Sequence, residues 1–241
     1  MSTRKLIEER RQKKQRQNTI LLLMMGGGLA LVIAAFVLAF VRSGKVNIPT
    51  RQVKIPEFTK VDQSNFNGLG NPDAPVVIEE FSDFGCTYCA DFALETKKLI
   101  EEAYVETGEV YLVFHSVGGF LNSPATFQAA EAAYCAGDQD ALWDFHDLIF
   151  ANQFRLFSNR TADISRTMET FAEILELDVD QFKSCLADRN YQNLVESDEL
   201  KARENNITGT PAFLINGVLY TGNQPLENFH FAIDQILTTL D

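Results

Sequence analysis

Proline, histidine and cysteine are scarce in this sequence, with 7, 3 and 4 copies in 241 residues. The low proline content and the 46% hydrophobic residues argue against a disordered chain, and the length fits one sizeable domain with an appendage. No internal repeat is present, and low complexity is confined to the N-terminal tail. The histidines show no metal-ligand spacing, so we predict no metal and no cofactor and assign structural roles to His115, His146 and His230.

Basic residues are also scarce outside the N-terminus. Residues 1–42 carry 8 basic and 2 acidic side chains, whereas the rest of the chain carries 13 basic and 31 acidic ones. Phosphate binding depends on clustered Lys and Arg, so this balance excludes nucleic acid as a partner of the acidic body.

The N-terminal region has the pattern of a membrane anchor. Residues 20–41 form an uncharged, mostly apolar run of 22 residues, long enough for a helix to cross a hydrocarbon core of about 30 Å. Basic residues are denser before the run than after it, which predicts a single-pass protein with a cytoplasmic tail at 1–19 and an extracytoplasmic body. A cleavable signal peptide is the alternative, but no A-x-A site and no lipid-accepting cysteine follow the run.

The segment after the anchor has no sustained hydrophobic periodicity. Residues 42–70 contain prolines and glycines among polar residues, which predicts a linker between the membrane and a domain at 71–241. The domain opens with an apolar run at 76–81, typical of a buried strand, and a second such run lies at 110–115. The helix between them is predicted to start at the cysteines, to end at Gly108, and to face the core with these residues: Phe92, Thr96, Leu99, Ile100 and Ala103.

The second half of the domain changes from helical to β patterns. Ser123 and Pro124 resemble an N-cap and a first helical position, and they open a helical insert that extends to about residue 205. A β-hairpin at 212–220 with an Asn-Gly turn follows, and the last helix is predicted at 226–240. The order is βαβ, helices, ββα, so the predicted fold class is α/β.

The sequence Cys86-Thr-Tyr-Cys89 follows the first strand and begins the first helix. Unpaired N–H groups at a helix N-terminus lower a thiol pKa, which favours Cys86 as a nucleophilic thiolate. Cys89 lies about one helical turn further, within disulfide range, and is predicted to resolve a mixed disulfide. Half of a zinc site has the same C-x-x-C spacing and is the alternative.

Two segments, Glu79-Glu-Phe-Ser-Asp-Phe-Gly-Cys-Thr-Tyr-Cys89 and Gly209-Thr-Pro-Ala-Phe-Leu-Ile-Asn-Gly217, resemble the DsbA-like branch of the thioredoxin superfamily. The resemblance covers residues 71–241 and implies a thioredoxin fold with a helical insertion. It also implies that Pro211 is a cis-proline beside the disulfide. An ordinary strand-initiating proline is the alternative for this position.

The same resemblance assigns roles around the cysteines. Glu80 matches the family's buried acidic residue and is expected to accept or relay the proton of Cys89, while the alternative is a glutamate at a solvated strand end. Thr87, Tyr88 and Thr210 are expected to contact the substrate chain. Thr87 stands where DsbA-like oxidases usually carry proline, and the dipeptide between the cysteines influences redox poise.

The other two cysteines, Cys135 and Cys185, fall in the helical insert. An extracytoplasmic compartment permits them to pair as a structural disulfide. Two buried free thiols, or a four-cysteine zinc site shared with the first pair, are the alternatives.

These patterns together predict a membrane-anchored thiol-disulfide oxidoreductase that acts on exported proteins and exchanges electrons with an unidentified membrane redox partner. Disulfide formation, reduction and isomerisation use the same exchange chemistry, so the sequence leaves the direction open. A membrane-tethered peptide-binding or chaperone module without turnover is the alternative from another functional class.

Overall fold

The computed structural model describes residues 16, 24–28, 31–33, 44–63, 65–120, 123–159 and 161–239. The chain divides into two compact units, Met1–Lys45 and Val46–Asp241. In the first unit, residues 24–28 and 31–33 are helical. Among the described residues, no helix combines the length and the apolar character that crossing a membrane requires. Most of the predicted anchor at 20–41 lies outside the described residues, so the anchor stays a prediction.

The described part of the second unit is built on a five-stranded sheet with the order β1-β3-β2-β4-β5. The strands are β1 Gly68–Leu69, β2 Val76–Ser82, β3 Val110–Ser116, β4 Ala212–Ile215 and β5 Val218–Thr221. The pairing of β2 with β3 is parallel, and the other neighbours pair antiparallel. The predicted strands are confirmed to within one residue, and the hairpin turns at Asn216 and Gly217, which both have positive φ.

Helix α1, residues 87–105, is not a regular α-helix. Its α-helical parts Thr87–Asp91 and Lys97–Ile100 alternate with π-helical parts Phe92–Thr96 and Glu101–Val105. The wider π turns change which residues face the core. The predicted apolar face is therefore wrong at Leu99 and Ala103, which are exposed, whereas Lys97 is buried.

The helical insert consists of α2 Pro124–Gly137, α3 Leu142–Ala151, α4 Gln153–Leu156, α5 Ser165–Ile174, α6 Val179–Ala187 and α7 Gln192–Glu204. Its start follows the predicted capping, because the Ser123 hydroxyl accepts a hydrogen bond from the N–H of Thr126 and proline occupies the first turn. The last helix, α8, spans Leu226–Thr238.

Residues 46–63 and 65–70 pack against the rest of the second unit rather than forming a free linker. Ile48 is 1% exposed, and its N–H donates to Thr167 Oγ1 on α5. The backbone of Lys54 exchanges two hydrogen bonds with the side chain of Asn152. Such isolated anchoring contacts leave no periodic pattern in the sequence. The folded unit therefore begins at Val46 instead of residue 71.

Different helices cover the two faces of the sheet. On one face, Phe92 of α1 packs against Phe213 of β4 and Phe229 of α8, with ring centroids 4.5 and 5.7 Å away. On the other face, Phe81 packs with Ala202 of α7 in a smaller cluster. Successive residues of a strand point to opposite faces, so the adjacent glutamates of β2 serve different environments.

Candidate active site

The two cysteines of the C-x-x-C sequence lie where the loop after β2 enters α1. Cys86 is the N-cap residue, with extended backbone (φ −83°, ψ 124°), and Cys89 lies in the first turn. Cys86 is partly exposed, whereas Cys89 is fully buried, and both are free thiols. The turn at Asp83, whose backbone oxygen accepts from the N–H of Cys86 at 2.9 Å, sets the start of the helix.

The environment of Cys86 stabilises its thiolate. A hydrogen bond from the Cys89 thiol is the main cause that lowers the pKa of Cys86, which reaches about 5. Partial burial opposes this shift, while the Thr210 side chain and the backbone N–H groups of Cys89 and Tyr88 add to it. At neutral pH, Cys86 is therefore predominantly a thiolate, which is the nucleophilic form.

The environment of Cys89 has the opposite effect. Burial is the main cause that raises the pKa of Cys89 well above the ordinary thiol value, and the neighbouring Cys86 adds to it. The side chains of Ser82 and Thr210 act to lower the pKa of Cys89, but their effect is smaller than that of burial and Cys86. One thiol of the pair is thus ready to attack, and the other holds its proton.

The predicted cis-proline lies beside the nucleophile. The Thr210–Pro211 peptide bond is cis, and Cys86 Sγ lies 3.3 Å from the Thr210 carbonyl oxygen. The antiparallel pairing of β4 with β2 brings these residues together across 124 positions of sequence. Pro211 is buried and Thr210 is partly exposed. Tyr88, at 65% exposure, stands on the open side of the pair, and Thr87 is also exposed.

Glu80 occupies the buried position predicted for it. It is 1% exposed and lies on the same face of β2 as Ser82, whose side chain acts on Cys89. Within the described part of the chain, Glu80 Oε1 has no hydrogen-bond partner. Glu79 points to the other face, where it contacts His115 and Lys201.

Gln153, at the start of α4, is a site residue that the sequence did not reveal. Its amide nitrogen donates to the carbonyl oxygens of Phe84 and Cys86 at 2.8 and 2.7 Å. The insert therefore holds the loop that carries the nucleophile. A single glutamine gives no sequence signal for such a contact, because the partners lie almost 70 residues away.

Cys135 of α2 and Cys185 of α6 are joined in a disulfide, with an S–S distance of 1.97 Å and a Cα–Cα distance of 5.9 Å. Their sulfurs are consequently not available for a zinc site shared with Cys86 and Cys89. A bridge that closes a loop of 50 residues is worth about 4 kcal/mol in the chain-entropy model.

Comparison with known proteins identifies relatives of the folded unit. A family model described as thioredoxin matches residues 64–235. The chain is 34% identical over 173 residues to the Na(+)/H(+) antiporter NhaA 3 of Salinispora tropica, a match that covers 72% of this chain and 25% of that protein. This chain thus spans about a quarter of the length of that relative.

Two further relatives have a length similar to this chain. The probable disulfide bond formation protein D of Bacillus cereus is 30% identical over 176 residues, covering 72% of this chain and 80% of that protein. The crystal structure of alpha-DsbA1 from Wolbachia pipientis is 22% identical, has a TM-score of 0.64, and is matched over 78% of this chain and 98% of that chain. The family model covers more than half of the chain, and the Bacillus cereus relative is 30% identical with more than two thirds of both chains covered. This chain therefore belongs to the DsbA-like branch of the thioredoxin superfamily.

Proposed function

We propose that the chain is a membrane-anchored thiol-disulfide oxidoreductase that forms disulfides in exported proteins through Cys86 and Cys89. The observation that carries this proposal is the contrast between the two thiols, because the pKa of Cys86 is lowered to about 5 while that of Cys89 is raised. A substrate thiolate attacks Cys86 Sγ of the oxidised pair, the Cys86–Cys89 bond breaks, and Cys89 leaves as a thiolate that takes up a proton. A second substrate thiolate then attacks the substrate sulfur of the mixed disulfide, which releases Cys86 as a thiolate.

The stabilised Cys86 thiolate supports the formation of disulfides in substrate proteins over their reduction. A low pKa stabilises the reduced, dithiol form of the protein, so its disulfide form more readily gives up oxidising equivalents. Because the pKa of Cys86 is lower in the folded protein, its ionisation stabilises the folded, reduced protein. This contribution is complete at pH values above the ordinary thiol pKa and is lost as the pH falls through about 5. Neutral pH lies between these two values, so part of this stabilisation of the reduced form remains there.

The surroundings of the pair fit an extended protein substrate. Thr210 and Pro211 precede β4 beside Cys86, and the exposed Tyr88 and Thr87 flank the sulfur. In this proposal the substrate chain lies against Thr210, and Tyr88 contacts its side chains. Glu80 serves as the proton donor or acceptor for Cys89.

In this proposal residues 20–41 form the membrane anchor, the folded unit lies outside the cell membrane and the tail at 1–19 lies in the cytoplasm, which the charge bias around the apolar run supports. The disulfide between Cys135 and Cys185 supports an oxidising compartment. A membrane redox partner re-oxidises the pair in each cycle. A membrane-impermeant maleimide is expected to label Cys86 in intact, reduced cells, and labelling only after lysis contradicts this orientation.

A redox titration against glutathione, combined with oxidation of a reduced unfolded protein, tests the activity. We expect the oxidised chain to introduce disulfides, and its potential to lie on the oxidising side of the glutathione couple. The variant Cys86→Ser controls for oxidation by other routes. A potential well below that of glutathione supports a reductase instead, and intact binding with no exchange at all supports the non-catalytic module.

A further inference from the structure

On the face of β2 that carries Ser82, two buried polar atoms of the described residues face each other without hydrogen-bond partners. They are Glu80 Oε1 on β2 and His146 Nε2 on α3, and they lie 3.9 Å apart. Each is without a hydrogen bond from any described residue, although the two side chains are 1% and 0% exposed. Buried polar atoms are almost always paired, so two opposed exceptions at a site of proton transfer indicate a functional arrangement.

His146 is held in a defined orientation. Its Nδ1 lies 2.7 Å from Asp147 Oδ1, so that Nδ1–H donates to the carboxylate and Nε2 points at Glu80. The rings of Phe114 and Phe150 pack edge-on against the imidazole at 4.9 and 4.7 Å. A carboxylate that orients an imidazole and stabilises its protonated form is a general device of proton-transfer sites.

Asp147 is itself fixed by a cation from α1. Lys97 Nζ lies 3.0 Å from Asp147 Oδ2 and 2.5 Å from Glu101 Oε1, and Lys97 is almost fully buried. These three side chains line a pocket of about 120 Å³ that also contacts the exposed residues Glu57 and Lys98. A volume of that size holds water, since one water needs roughly 10–15 Å³. The Asp147 side chain therefore reaches both the imidazole and a wet pocket.

We propose that His146 is a positioning residue that exchanges a proton with Glu80 and so supplies the proton taken up by Cys89. When Cys89 leaves Cys86 as a thiolate, protonated His146 gives the proton on Nε2 to the Glu80 carboxylate, and Glu80 passes it to Cys89. His146 is then neutral and keeps its Nδ1–H on Asp147. When Cys89 gives up its proton in the resolving direction, that proton returns through Glu80 to Nε2 of His146.

The charged surroundings of His146 support this role. Burial acts to lower the pKa of His146, but its contacts with Asp147 and Glu80 outweigh burial and raise it above the ordinary value. Burial acts to raise the pKa of Asp147, but Lys97 and His146 hold it below its usual value. The charged groups around the imidazole are thus Glu80 from β2, Asp147 from α3 and, through Asp147, Lys97 and Glu101 from α1. The inference rests on the proposed function, because it assigns a proton source to that exchange reaction.

The test begins with His146→Gln, which keeps an amide near the Nε2 position but does not titrate. General acid-base groups contribute about 10²–10⁴-fold, so loss of a relay one step removed is expected to slow the Cys89-dependent step about tenfold. The rate is measured across pH by stopped-flow reduction of the Cys86–Cys89 disulfide. The inflection that reports protonation of His146 is expected to disappear. His115→Gln, another buried histidine beside an aspartate but on the opposite face, is the matched control and is expected to keep the inflection.

A double-mutant cycle separates a relay from a packing effect. If His146 acts through Glu80, His146→Gln has little further effect on the rate in a Glu80→Gln background. Additive effects, or an unchanged pH profile in His146→Gln, overturn the proposal. Alkylation of Cys86 at fixed pH checks that the variants retain the folded site.

A second measurement does not depend on a folded His146 variant or on any activity. The single tryptophan, Trp143, packs against His146 with ring centroids 5.2 Å apart, so its fluorescence reports protonation of the imidazole. Glu80→Gln removes a carboxylate that raises the pKa of His146, and the fluorescence midpoint is expected to move to lower pH. An unchanged midpoint contradicts the coupling even if the chain is an active oxidoreductase. A shifted midpoint in a chain with no exchange activity contradicts only the proposed function.

Discussion

Each face of the sheet carries a set made of a glutamate, a histidine and an aspartate. The two sets differ in whether the contact between the glutamate and the histidine is a hydrogen bond. The face to which Glu80 points is called the redox face here. On it, Glu80 Oε1 lies 3.9 Å from His146 Nε2, and both atoms lack hydrogen bonds from the described residues. On the other face, Glu79 Oε2 lies 2.9 Å from His115 Nε2, and His115 Nδ1 lies 2.8 Å from Asp198 Oδ1. Each histidine therefore has an aspartate at Nδ1 and a glutamate facing Nε2.

The difference teaches how the same residue types serve stability on one face and chemistry on the other. In the Glu79 set, Lys201 and Tyr134 complete the network, since Lys201 contacts Glu79 and the Tyr134 hydroxyl donates to Asp198. A fully paired network rigidifies a fold and has little to gain from moving a proton. The loosely paired Glu80 set lies on the face of β2 that also carries Ser82, whose side chain acts on Cys89, and it can exchange protons without first breaking strong hydrogen bonds.

The largest expected effect concerns the cysteines themselves. Cys89→Ser is expected to accumulate mixed disulfides with exported proteins, because the Cys86 thiolate still attacks substrate disulfides. Cys89, which resolves such a mixed disulfide by attacking Cys86 Sγ, is gone. Cys86→Ser is expected to capture few, since Cys89 is buried and keeps its proton. Non-reducing gels, with and without reductant, measure the difference. Equal capture by both variants contradicts the assignment of nucleophile and resolver.

The next prediction compares the two glutamates directly. Glu80→Gln is expected to slow the steps that move the Cys89 proton by about 10–100-fold, while attack by the reduced Cys86 thiolate on a substrate disulfide changes little. Glu79→Gln is expected to leave both rates nearly unchanged but to lower the free energy of unfolding by about 1–2 kcal/mol, because it weakens charged hydrogen bonds. Single-turnover kinetics and urea unfolding measure the two effects. Interchanged outcomes remove the functional contrast between the faces.

A smaller effect is expected at the contact between the insert and the nucleophile loop. Gln153→Ala removes two hydrogen bonds to carbonyls of that loop, each worth about 1 kcal/mol, so the loop is held less firmly and Cys86 is a weaker nucleophile. We expect the midpoint of Cys86 alkylation to rise above its wild-type pH. Gln128→Ala is the control, since Gln128 also makes two hydrogen bonds, to Ser165 and Ile164, but within the insert. A matching shift in both variants points to general loosening.

The smallest expected effect is a pH dependence of stability on the non-redox face. Burial acts to lower the pKa of His115, but hydrogen bonds with Asp198 and Glu79 outweigh the effect of burial, and the pKa is raised above 6.5. A histidine whose pKa is raised by folding stabilises the folded protein, and this contribution is complete at pH values below the pKa of the unfolded state. It is lost as the pH rises through the pKa of the folded state. We expect the urea midpoint of the wild type to exceed that of His115→Gln more at pH 6 than at pH 9. An equal difference at both values shows that His115 does not titrate in this range.

Local patterns carried most of the fold prediction. Apolar runs predicted β2 and β3, the Asn-Gly pair predicted the last hairpin, and Ser123 with Pro124 predicted the start of α2. These signals are short-range, because hydrophobic periodicity, caps and turn residues act within a few positions of the chain. They failed for α1, where π turns shifted the buried face toward Lys97. A buried lysine is predictable only when its distant partners Asp147 and Glu101 are known together.

The sequence by itself determined the C-x-x-C pair and its place at a helix N-terminus, because these depend on residues within short segments, and the resemblance to the DsbA-like branch implied the cis peptide bond at Pro211. Only the tertiary structure decided the packing of residues 46–63 and 65–70 against the domain, the anchoring of the Cys86 loop by Gln153, and the opposition of Glu80 and His146. These contacts join positions 66 to 119 residues apart. Their energies depend on burial and orientation, which only the folded chain fixes, since the protein interior strengthens polar contacts and penalises unpaired ones.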